Sequence, residues 1–189
     1  DLVRSRGLGD VYKRQALYTD KIRLRAPEPE DLDIMFSFEN DEELWENGIA
    51  TGPYSRYQLK RYIAESQNNL FTDGQLRLMI EMDSGEVAGI VDLFSYDNRH
   101  RRAEVGMVVR REYRRQGIAQ TALQLLEKHC FTLLGIHQLY VYVCKDNIAG
   151  MALFESAGYK LSGILTDWLH SGSGYRDVCI LQKIASSIT

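Results

Sequence analysis

The sequence predicts an α/β fold with layers of the α+β type, in which helices cover the faces of one mixed β-sheet. Segments of alternating or continuous apolar residues, typical of strands, are interspersed with segments whose apolar residues recur at helical spacing. Turns rich in glycine, proline or small polar residues separate these segments. With 189 residues, of which 44% are hydrophobic, the chain has enough apolar material for one core.

The N-terminal third predicts one strand followed by two helices. Residues 22–25 alternate between apolar and charged side chains, which is typical of a strand. Two prolines end this pattern, and apolar residues at helical spacing follow in residues 32–36. Ser55 and Gln58 then match the capping pair that begins a second helix.

The middle of the chain predicts a hairpin, a further strand and a long helix. Residues 78–82 and 87–91 are apolar and flank the polar sequence Asp-Ser-Gly-Glu, which is a hairpin pattern. Residues 104–109 continue as a strand. Residues 119–134 carry apolar side chains on one face, the last of them Leu133, and predict an amphipathic helix.

The C-terminal third predicts a strand, a short helix and a closing hairpin. Residues 139–144 are apolar and typical of a buried strand. Residues 147–157 predict a helix that Gly158 ends. The Ser-Gly-Ser-Gly turn precedes a final strand over residues 175–184. The predicted order is therefore β-α-α-β-β-β-α-β-α-β-β.

Net charge and hydropathy exclude several classes of function. The 23 basic and 26 acidic residues give a formal net charge of -3, which provides no general attraction to nucleic acid or an anionic membrane. No apolar run approaches the roughly 18 to 20 residues that span a bilayer, and the N-terminus lacks a secretory apolar stretch. We expect a cytoplasmic protein without nucleic-acid or membrane partners.

The first fifteen residues do not share the regular patterning of the rest. They show neither helical nor strand periodicity, and we expect residues 1–15 to be an appended or disordered tract. Residues 16–189 are predicted to form a single domain. The chain contains no internal repeat and no low-complexity linker.

Cysteine and histidine spacing gives no support for metal chemistry. Cys130, Cys144 and Cys179 stand singly among apolar residues, so we predict reduced core residues. The four histidines show no HxxH, HxxxH or HExxH spacing. We therefore expect no metal site.

The sequence Arg-Arg-Gln-Gly-Ile-Ala over residues 114–119 lies between a predicted strand and the long helix. Unpaired N–H groups and the positive end of the helix dipole attract phosphate at such a place. Gly117 and Ala119 leave the backbone accessible, while Arg114 and Arg115 add positive charge. Solvated surface arginines would give the same short pattern, so the motif alone leaves both interpretations open.

Further motifs in a fixed order resemble the GNAT superfamily of acyl-CoA-dependent N-acetyltransferases. They are Ala-Glu-Val-Gly-Met-Val-Val over 103–109, the loop at 114–119, the long helix, and Asn-x-x-Gly-x-x-Leu-Phe-x-x-x-Gly-Tyr over 147–159. The resemblance covers about residues 21–184. It is nearest to the branch of bacterial spermidine N-acetyltransferases and ribosomal-protein N-terminal acetyltransferases. The sequences at 131–140 and 174–178 favour the polyamine side.

This resemblance implies a mostly antiparallel sheet, splayed between the strands at 104–109 and 139–144, with acetyl-CoA as co-substrate in the opening. Asn147 is expected to bind the pantetheine arm, although a plain helix N-cap explains it equally well. The residues expected to contact acetyl-CoA are Met107, Val108, Val109, Arg114, Arg115, Gln116, Gly117, Ile118, Ala119, Gln120, Asn147 and Phe154.

Acetyl transfer to an amine needs a base, because a primary ammonium has a pKa of about 10.4. The resemblance points to Glu104, acting through water, and the alternative is an exposed strand residue paired with arginine. The N–H of Val108 is expected to stabilise the oxyanion. Phe154 stands where the family commonly has a tyrosine that protonates the CoA thiolate. Water, Tyr142 or Tyr159 would have to replace that acid.

The segment 27–46 carries nine acidic residues and no lysine or arginine. In this superfamily the segment borders the acceptor, so its charge favours a cationic amine, while a solvated helix face is the alternative. The expected acceptor contacts are Glu39, Glu42, Trp45 and Tyr54. Spermidine enzymes have paired glutamates where Thr51-Gly52 stand here, so the sequence leaves acceptors other than spermidine open.

Three functions stay open from the sequence. The first is acetyl transfer from acetyl-CoA to a small cationic amine such as a polyamine. The second is N-terminal acetylation of a protein, as in the ribosomal-protein enzymes. The third is a non-catalytic acyl-CoA sensor, which the phenylalanine at position 154 keeps open. A homo-oligomer is expected from the branch.

Overall fold

The computed structural model describes residues 17–41, 44 and 52–186, which form one seven-stranded sheet with helices on its faces. The strands are β1 (Ile22–Arg25), β2 (Leu76–Met82), β3 (Val87–Asp97), β4 (Arg102–Val109), β5 (Gln138–Cys144), β6 (Lys160–Ser171) and β7 (Gly174–Ile184). The α-helices are α1 (Leu32–Glu39), α2 (Arg56–Glu65), α3 (Leu70–Asp73), α4 (Ile118–Lys128) and α5 (Ile148–Ser156). A π-helix (His129–Leu133) extends α4.

The sheet is mixed and mostly antiparallel, as the sequence predicts. Its strand order is β1-β2-β3-β4-β5-β7-β6. Within the described residues, β4 and β5 form the one parallel pair, and every other neighbouring pair is antiparallel. A parallel pair needs a crossover connection, and α4 with its π-helical extension provides it.

The predicted splay between β4 and β5 is confirmed. The two strands pair only from Arg102 opposite Gln138 to Glu104 opposite Tyr140. Beyond that point β4 continues to pair with β3 up to Val109, while β5 continues to pair with β7. Each strand therefore follows its antiparallel partner, and an opening separates residues 105–109 from residues 141–144.

Apolar side chains cover both faces of the sheet, because successive side chains of a strand point in opposite directions. On one face Leu78 and Ile80 of β2 join a large cluster that includes Leu126 of α4. On the other face Met79 joins a smaller cluster with Met35 of α1. Helices therefore cover both faces of the sheet, as the sequence predicts.

The long helix departs from its prediction in its last turns. The α-helix ends at Lys128, and Leu134 N–H donates to the carbonyl oxygen of His129 (3.1 Å), a π-helical hydrogen bond. The wider turn buries Cys130 and rotates Leu133 away from the apolar face. The side chain of Leu133 is therefore 69% exposed. The prediction that Leu133 belongs to the buried face is wrong for this reason.

A short helix and the cysteines complete the comparison with the sequence. Helix α3 was not predicted, because its four residues are too few for periodicity, although Asn69 caps it and Gly74 (φ 68°) ends it. Cys130, Cys144 and Cys179 are buried, and none of them forms a disulfide within the described residues, which confirms their assignment to the core.

We predict that Gly89→Ala destabilises the sheet beside the opening. A Cβ at residue 89 of β3 would lie well inside contact distance of the backbone carbonyl oxygen of Val108, so the β3 and β4 backbones would have to separate. Overpacking of this kind costs about 1–3 kcal/mol of unfolding free energy, measured by urea denaturation. Gly163→Ala in β6 is the control, since a Cβ there meets nothing within 4 Å. Equal effects of the two substitutions would contradict the close approach.

Candidate active site

The backbone of β4 presents alternate peptide groups to the opening. Arg110 N–H donates to the carbonyl oxygen of Ala88 in β3 (2.9 Å), in the register that places Val108 opposite Ile90. The N–H and C=O of one strand residue point to the same edge, and the edge alternates from each residue to the next. Val108 is two residues before Arg110, so its N–H and C=O also point towards β3. Those of Met107 and Val109 point into the opening.

This geometry corrects one expectation about the oxyanion. The amide of Val108 is engaged on the β3 side and cannot donate into the opening, whereas the amides of Met107 and Val109 face it. The carbonyl oxygen of Val109 accepts a hydrogen bond from Arg114 Nε (2.9 Å). A strand sequence predicts that peptide groups alternate between its two edges, but it does not show which residues hydrogen-bond to β3. The sequence alone therefore could not show which amides of β4 face the opening.

The N-terminus of α4 lies directly after β4 and carries unpaired donors. Gly117 is the N-cap with φ 76°, a left-handed conformation that favours glycine, and no side chain caps the helix. The first bond of the helix runs from Thr121 N–H to the carbonyl oxygen of Gly117 (3.0 Å). The N–H groups of Ile118, Ala119 and Gln120 therefore have no acceptor inside the helix. The predicted anion site depends on donors of this kind, and its role in binding phosphate stays a prediction.

Side chains around this helix start add positive charge without closing it. Arg115 has φ 60°, so the loop turns sharply just before Gly117. The side chain of Arg115 is exposed. Gln116 Nε2 donates to the carbonyl oxygen of Glu112 (2.9 Å). Seven arginines lie between positions 99 and 115 of the sequence, and β4 separates those at 99–102 from those at 110–115.

Asn147 is the N-cap of α5, on the far side of the opening from α4. Its Oδ1 accepts a hydrogen bond from Gly150 N–H (2.9 Å). A Cβ on Gly150 would lie 2.6 Å from Asn147 Nδ2, so glycine is needed for this close contact. The capping interpretation of Asn147 is thus present in the structure, and a role in binding acetyl-CoA stays a prediction.

Phe154 and Tyr159 are packed together in the large apolar cluster. Phe154 is 5% exposed, and its ring meets the ring of Tyr159 edge-on at 5.1 Å. Burial raises the pKa of the Tyr159 hydroxyl far above its usual value, and the charge of Glu127 raises it further. Tyr159 is therefore unsuited to protonate a thiolate. Tyr142 cannot take the position of Phe154, because it lies on the opposite face of β5 from the cluster that holds Phe154.

Glu104 occupies the last residue pair before the strands diverge. Phe94 of β3 and Tyr140 of β5 are its two cross-strand neighbours. The side chain is half-buried, and within the described residues no hydrogen bond or ion pair is made by its carboxylate, whereas Arg102 pairs with Asp97 (3.2 Å). Burial raises the pKa of Glu104 above 4.5. The alternative of an exposed residue paired with arginine does not describe this environment.

The expected acceptor residues are only partly brought together. Glu39 forms an ion pair with Arg77 of β2 (2.5 Å), which also binds Asp92 through two hydrogen bonds of 2.8 and 2.9 Å. Tyr54 is held near the end of α1, where its N–H donates to Asn40 Oδ1 (2.8 Å). Glu42 and Trp45 lie outside the described residues.

Arginines from distant segments neutralise much of the acidic segment. Asp31 accepts two hydrogen bonds from Arg25 of β1 (2.7 and 3.0 Å), and Asp33 pairs with Arg56 of α2. Together with the Arg77 pair, these contacts lower the free negative charge that the sequence count indicates. Counting charges along the chain could not reveal them, because each arginine comes from another element.

Tyr140 was missed as a site residue by the sequence analysis, and Tyr142, also beside the opening, was considered only as a proton donor. Tyr140 stands directly opposite Glu104, and Tyr142 follows two residues later on the same face of β5. The alternation of side chains along a strand indicates that Tyr140 and Tyr142 share one face of β5. Only the register of β5 against β4 shows that this face is the one that carries Glu104.

The described part of the chain contains no group of three or more His, Cys, Asp or Glu side chains placed to hold a metal ion. Among residues 17–41, 44 and 52–186, no helix is both long and apolar enough to cross a membrane.

Comparison with known proteins identifies the family. Residues 21–160 match the family model described as acetyltransferase (GNAT) domain. This chain belongs to the GNAT acetyltransferase family. The GNAT chain is therefore an acyltransferase, and the expectation of a non-catalytic sensor gives way to this assignment.

The proteins similar to this chain include spermidine N-acetyltransferases, which is consistent with the spermidine branch of the GNAT family. A spermidine N(1)-acetyltransferase of Escherichia coli (strain K12) is 27% identical over 164 residues, which cover 85% of this chain and 86% of the relative. The structure of a spermidine N-acetyltransferase from Vibrio cholerae in complex with CoA and spermine has a TM-score of 0.77 at 23% identity, covering 88% of this chain and 97% of that one. A dodecameric structure from the same organism has a TM-score of 0.75 at 24% identity, covering 89% and 96%.

We predict that Glu104→Gln does not destabilise the GNAT chain at neutral pH. Burial raises the pKa of Glu104, so its favourable contribution is present below the ordinary value of 4.5 and is lost as the pH rises through the raised value. The variant should be at least as stable as the wild type at pH 7, measured by urea denaturation, and should differ little near pH 4.

Glu39→Gln is the matched control for this prediction. It removes the same charge but leaves the largely buried Arg77 with one carboxylate fewer, which should cost about 1–2 kcal/mol. A loss of stability in Glu104→Gln as large as that in Glu39→Gln would show that Glu104 is a structural residue.

Proposed function

We propose that the protein transfers an acetyl group from acetyl-CoA to a primary amine of a small polyamine such as spermidine. The observation that supports this proposal most directly is Glu104, a half-buried carboxylate without an ionic partner among the described residues, located where β4 and β5 diverge. A base is what acetylation of an ammonium requires, and this carboxylate is next to the opening in which the acetyl donor would bind.

The residues around the opening suit acetyl-CoA in two respects. The unpaired N–H groups at the start of α4, with Arg114 and Arg115 beside them, can bind the pyrophosphate. The outward-facing peptide groups of Met107 and Val109 can pair with the amides of the pantetheine arm. Bound there, acetyl-CoA supplies the acetyl group as an activated thioester.

Further contacts of the cofactor follow from the same placement. Asn147 uses Oδ1 for its cap, so its Nδ2 can donate to a pantetheine carbonyl. The phosphate end would be lined by the residues at the start of α4, namely Gln116, Gly117, Ile118, Ala119 and Gln120. Val108 pairs with β3 and so fixes the position of the β4 backbone beside the opening. Phe154 packs beneath the opening.

Glu104 would act as the general base in its ionised form. Burial raises its pKa, which makes the carboxylate a better proton acceptor than an exposed one. It would take a proton from the bound ammonium through a water molecule. The N–H of Met107 or Val109 would stabilise the negative charge that develops on the carbonyl oxygen.

Release of the CoA thiolate would proceed without a tyrosine at position 154. A thiol has a solution pKa of about 8.5, so the thiolate leaves readily and water can protonate it afterwards. Neither Tyr159, which is buried with a raised pKa, nor Tyr142, on the other face of β5, replaces the missing hydroxyl.

The choice of a polyamine is supported by the relatives and by the local charge. The Escherichia coli relative is a spermidine enzyme, and one structural neighbour holds spermine with CoA. Glu104, which has no ionic partner among the described residues, lies on the same face of the sheet as α1 and α2. The chain between these helices and the end of α1 carry the expected acceptor contacts Glu39, Glu42, Trp45 and Tyr54. An oligomer like the dodecameric neighbour and a cytoplasmic location complete the proposal.

We expect acetyl-CoA-dependent acetylation of spermidine or a related polyamine that falls at acidic pH. The wild type should release CoA with polyamines, and its kcat/KM should decline as the pH falls through the raised pKa of Glu104, because only the carboxylate accepts a proton. Glu104→Gln should lower kcat by about 10²-fold or more.

Calorimetric binding of CoA is the control, and it should be the same for wild type and Glu104→Gln. Aminosugars and short peptides with free N-termini belong in the same panel. Turnover with peptides alone would contradict the polyamine proposal, and an undiminished rate in Glu104→Gln would contradict the base.

We predict that Phe154→Tyr increases turnover by restoring a proton donor. The gain in kcat should be about tenfold, below the roughly 10² of a typical positioned acid, because a thiolate leaves readily. Phe154→Leu removes the ring without adding a donor and should not raise kcat. A Phe154→Tyr variant that binds CoA normally but turns over at the wild-type rate would show that water already suffices.

A further inference from the structure

Two aromatic rings form an exposed wall at the edge of the opening. Tyr142 of β5 stacks on Trp168 of β6, with ring centroids 6.4 Å apart and an interplanar angle of 10°. Tyr142 is 39% exposed and Trp168 is 56% exposed, so both rings are accessible to solvent. We call this pair the Tyr142–Trp168 wall.

A bulge in β6 places Trp168 in this wall. Leu165 pairs with Val178 and Leu169 pairs with Arg176, so β6 has two more residues than β7 in this interval. Asp167, inside the bulge, has φ 52°, a left-handed conformation that is strained for an L-residue. Bulges next to sites commonly redirect a side chain, and here Trp168 is the residue that follows.

Specific contacts hold the bulge in its strained conformation. Asp167 N–H donates to Asp177 Oδ1 (3.1 Å), and Asp177 is in turn paired with Lys145 (3.7 Å). The strain is therefore maintained by a side chain of the neighbouring strand. The result of this arrangement is an indole ring parallel to the ring of Tyr142, which a regular β6 would not provide.

The wall is connected to the proposed base through Tyr140. Tyr140 is directly opposite Glu104, and its ring meets that of Tyr142 edge-on at 5.9 Å. Strand spacing and rise place the Cα atoms of Glu104 and Tyr142 roughly 8 Å apart on the same face of the sheet. The carboxylate and the wall are thus two ends of one continuous surface.

This surface has the chemistry to bind a second positive charge. Aromatic faces attract ammonium groups, and their apolar area also suits the methylenes between two nitrogens. In the described part of the chain, the cation–π contacts made by arginine or lysine involve Phe36, Tyr62, Tyr113 and Tyr159, so neither ring of the wall is occupied by a protein cation.

We propose that the Tyr142–Trp168 wall is a specificity site that binds the distal ammonium of the acceptor, while the reacting nitrogen lies at Glu104. This inference rests on the proposed function and deepens it, because it explains how a polyamine would be distinguished from an amine with a single charge. Tyr142 and Trp168 are then specificity-determining residues, and the bulge at Asp167 is what positions them.

The test compares diaminobutane with butylamine, which differ only in the distal amino group. Wild type should acetylate diaminobutane with the lower KM. Tyr142→Leu and Trp168→Leu should each raise KM for diaminobutane about two- to fivefold, with little effect on KM for butylamine and on kcat. Tyr142→Phe keeps the ring and should behave like the wild type, which separates the ring from the hydroxyl. Tyr175→Leu removes an exposed aromatic residue from the same hairpin and is the control.

Calorimetric binding of the two amines, which needs no turnover, separates this inference from the proposed function. Tighter binding of diaminobutane than butylamine that is lost in Tyr142→Leu and Trp168→Leu supports the wall, even if neither amine is acetylated, and the absence of acetylation contradicts the proposed function alone. Equal increases in KM for both amines, or no increase in either variant, would overturn the wall. A change in sedimentation of Trp168→Leu with unchanged KM would overturn it as well and assign the rings to contact between copies.

Discussion

The divergence of β4 from β5 is the constraint on which the rest of the structure depends. After three residue pairs, each strand stays with its antiparallel neighbour and abandons its parallel one. Backbone donors and acceptors that a regular sheet would pair are left facing an opening, and an unpaired buried peptide group is costly. A ligand with its own amide groups can satisfy them. Among the described residues, the strands on both sides of the opening are thus paired with their antiparallel neighbours, and β4 and β5 lack pairing only towards each other.

The same divergence organises the polar groups around the opening. Helix α4 must cross from the end of β4 to the start of β5, and this brings its unpaired N–H groups to the end of the opening. At the other end Glu104 lies in the last residue pair, between two aromatic neighbours and without a positive partner among the described residues. The unpaired N–H groups and the Glu104 carboxylate are therefore separated along the length of one strand.

Charge pairing differs between the framework and the site. Asp31, Asp33 and Glu39 are neutralised by arginines from other elements, and these pairs fix α1 and α2 to the sheet. Among the described residues Glu104 has no such partner, and burial raises its pKa. An arginine beside it would lower that pKa. The described part of the chain thus combines paired carboxylates, which link elements, with a half-buried carboxylate that has no ionic partner there.

The sequence by itself determined the order of the elements other than α3, the glycine-containing loop that begins α4, and the absence of a tyrosine at position 154. These depend on local signals, namely periodicity, caps and motifs, which one segment carries within itself. Tertiary structure decided which peptide groups of β4 face the opening, which acidic residues are neutralised, and that Tyr142 and Trp168 meet. Each of these depends on the register of strands or on partners far apart in the chain. Pairing across the sheet is a property of two segments together, so neither segment alone could reveal it.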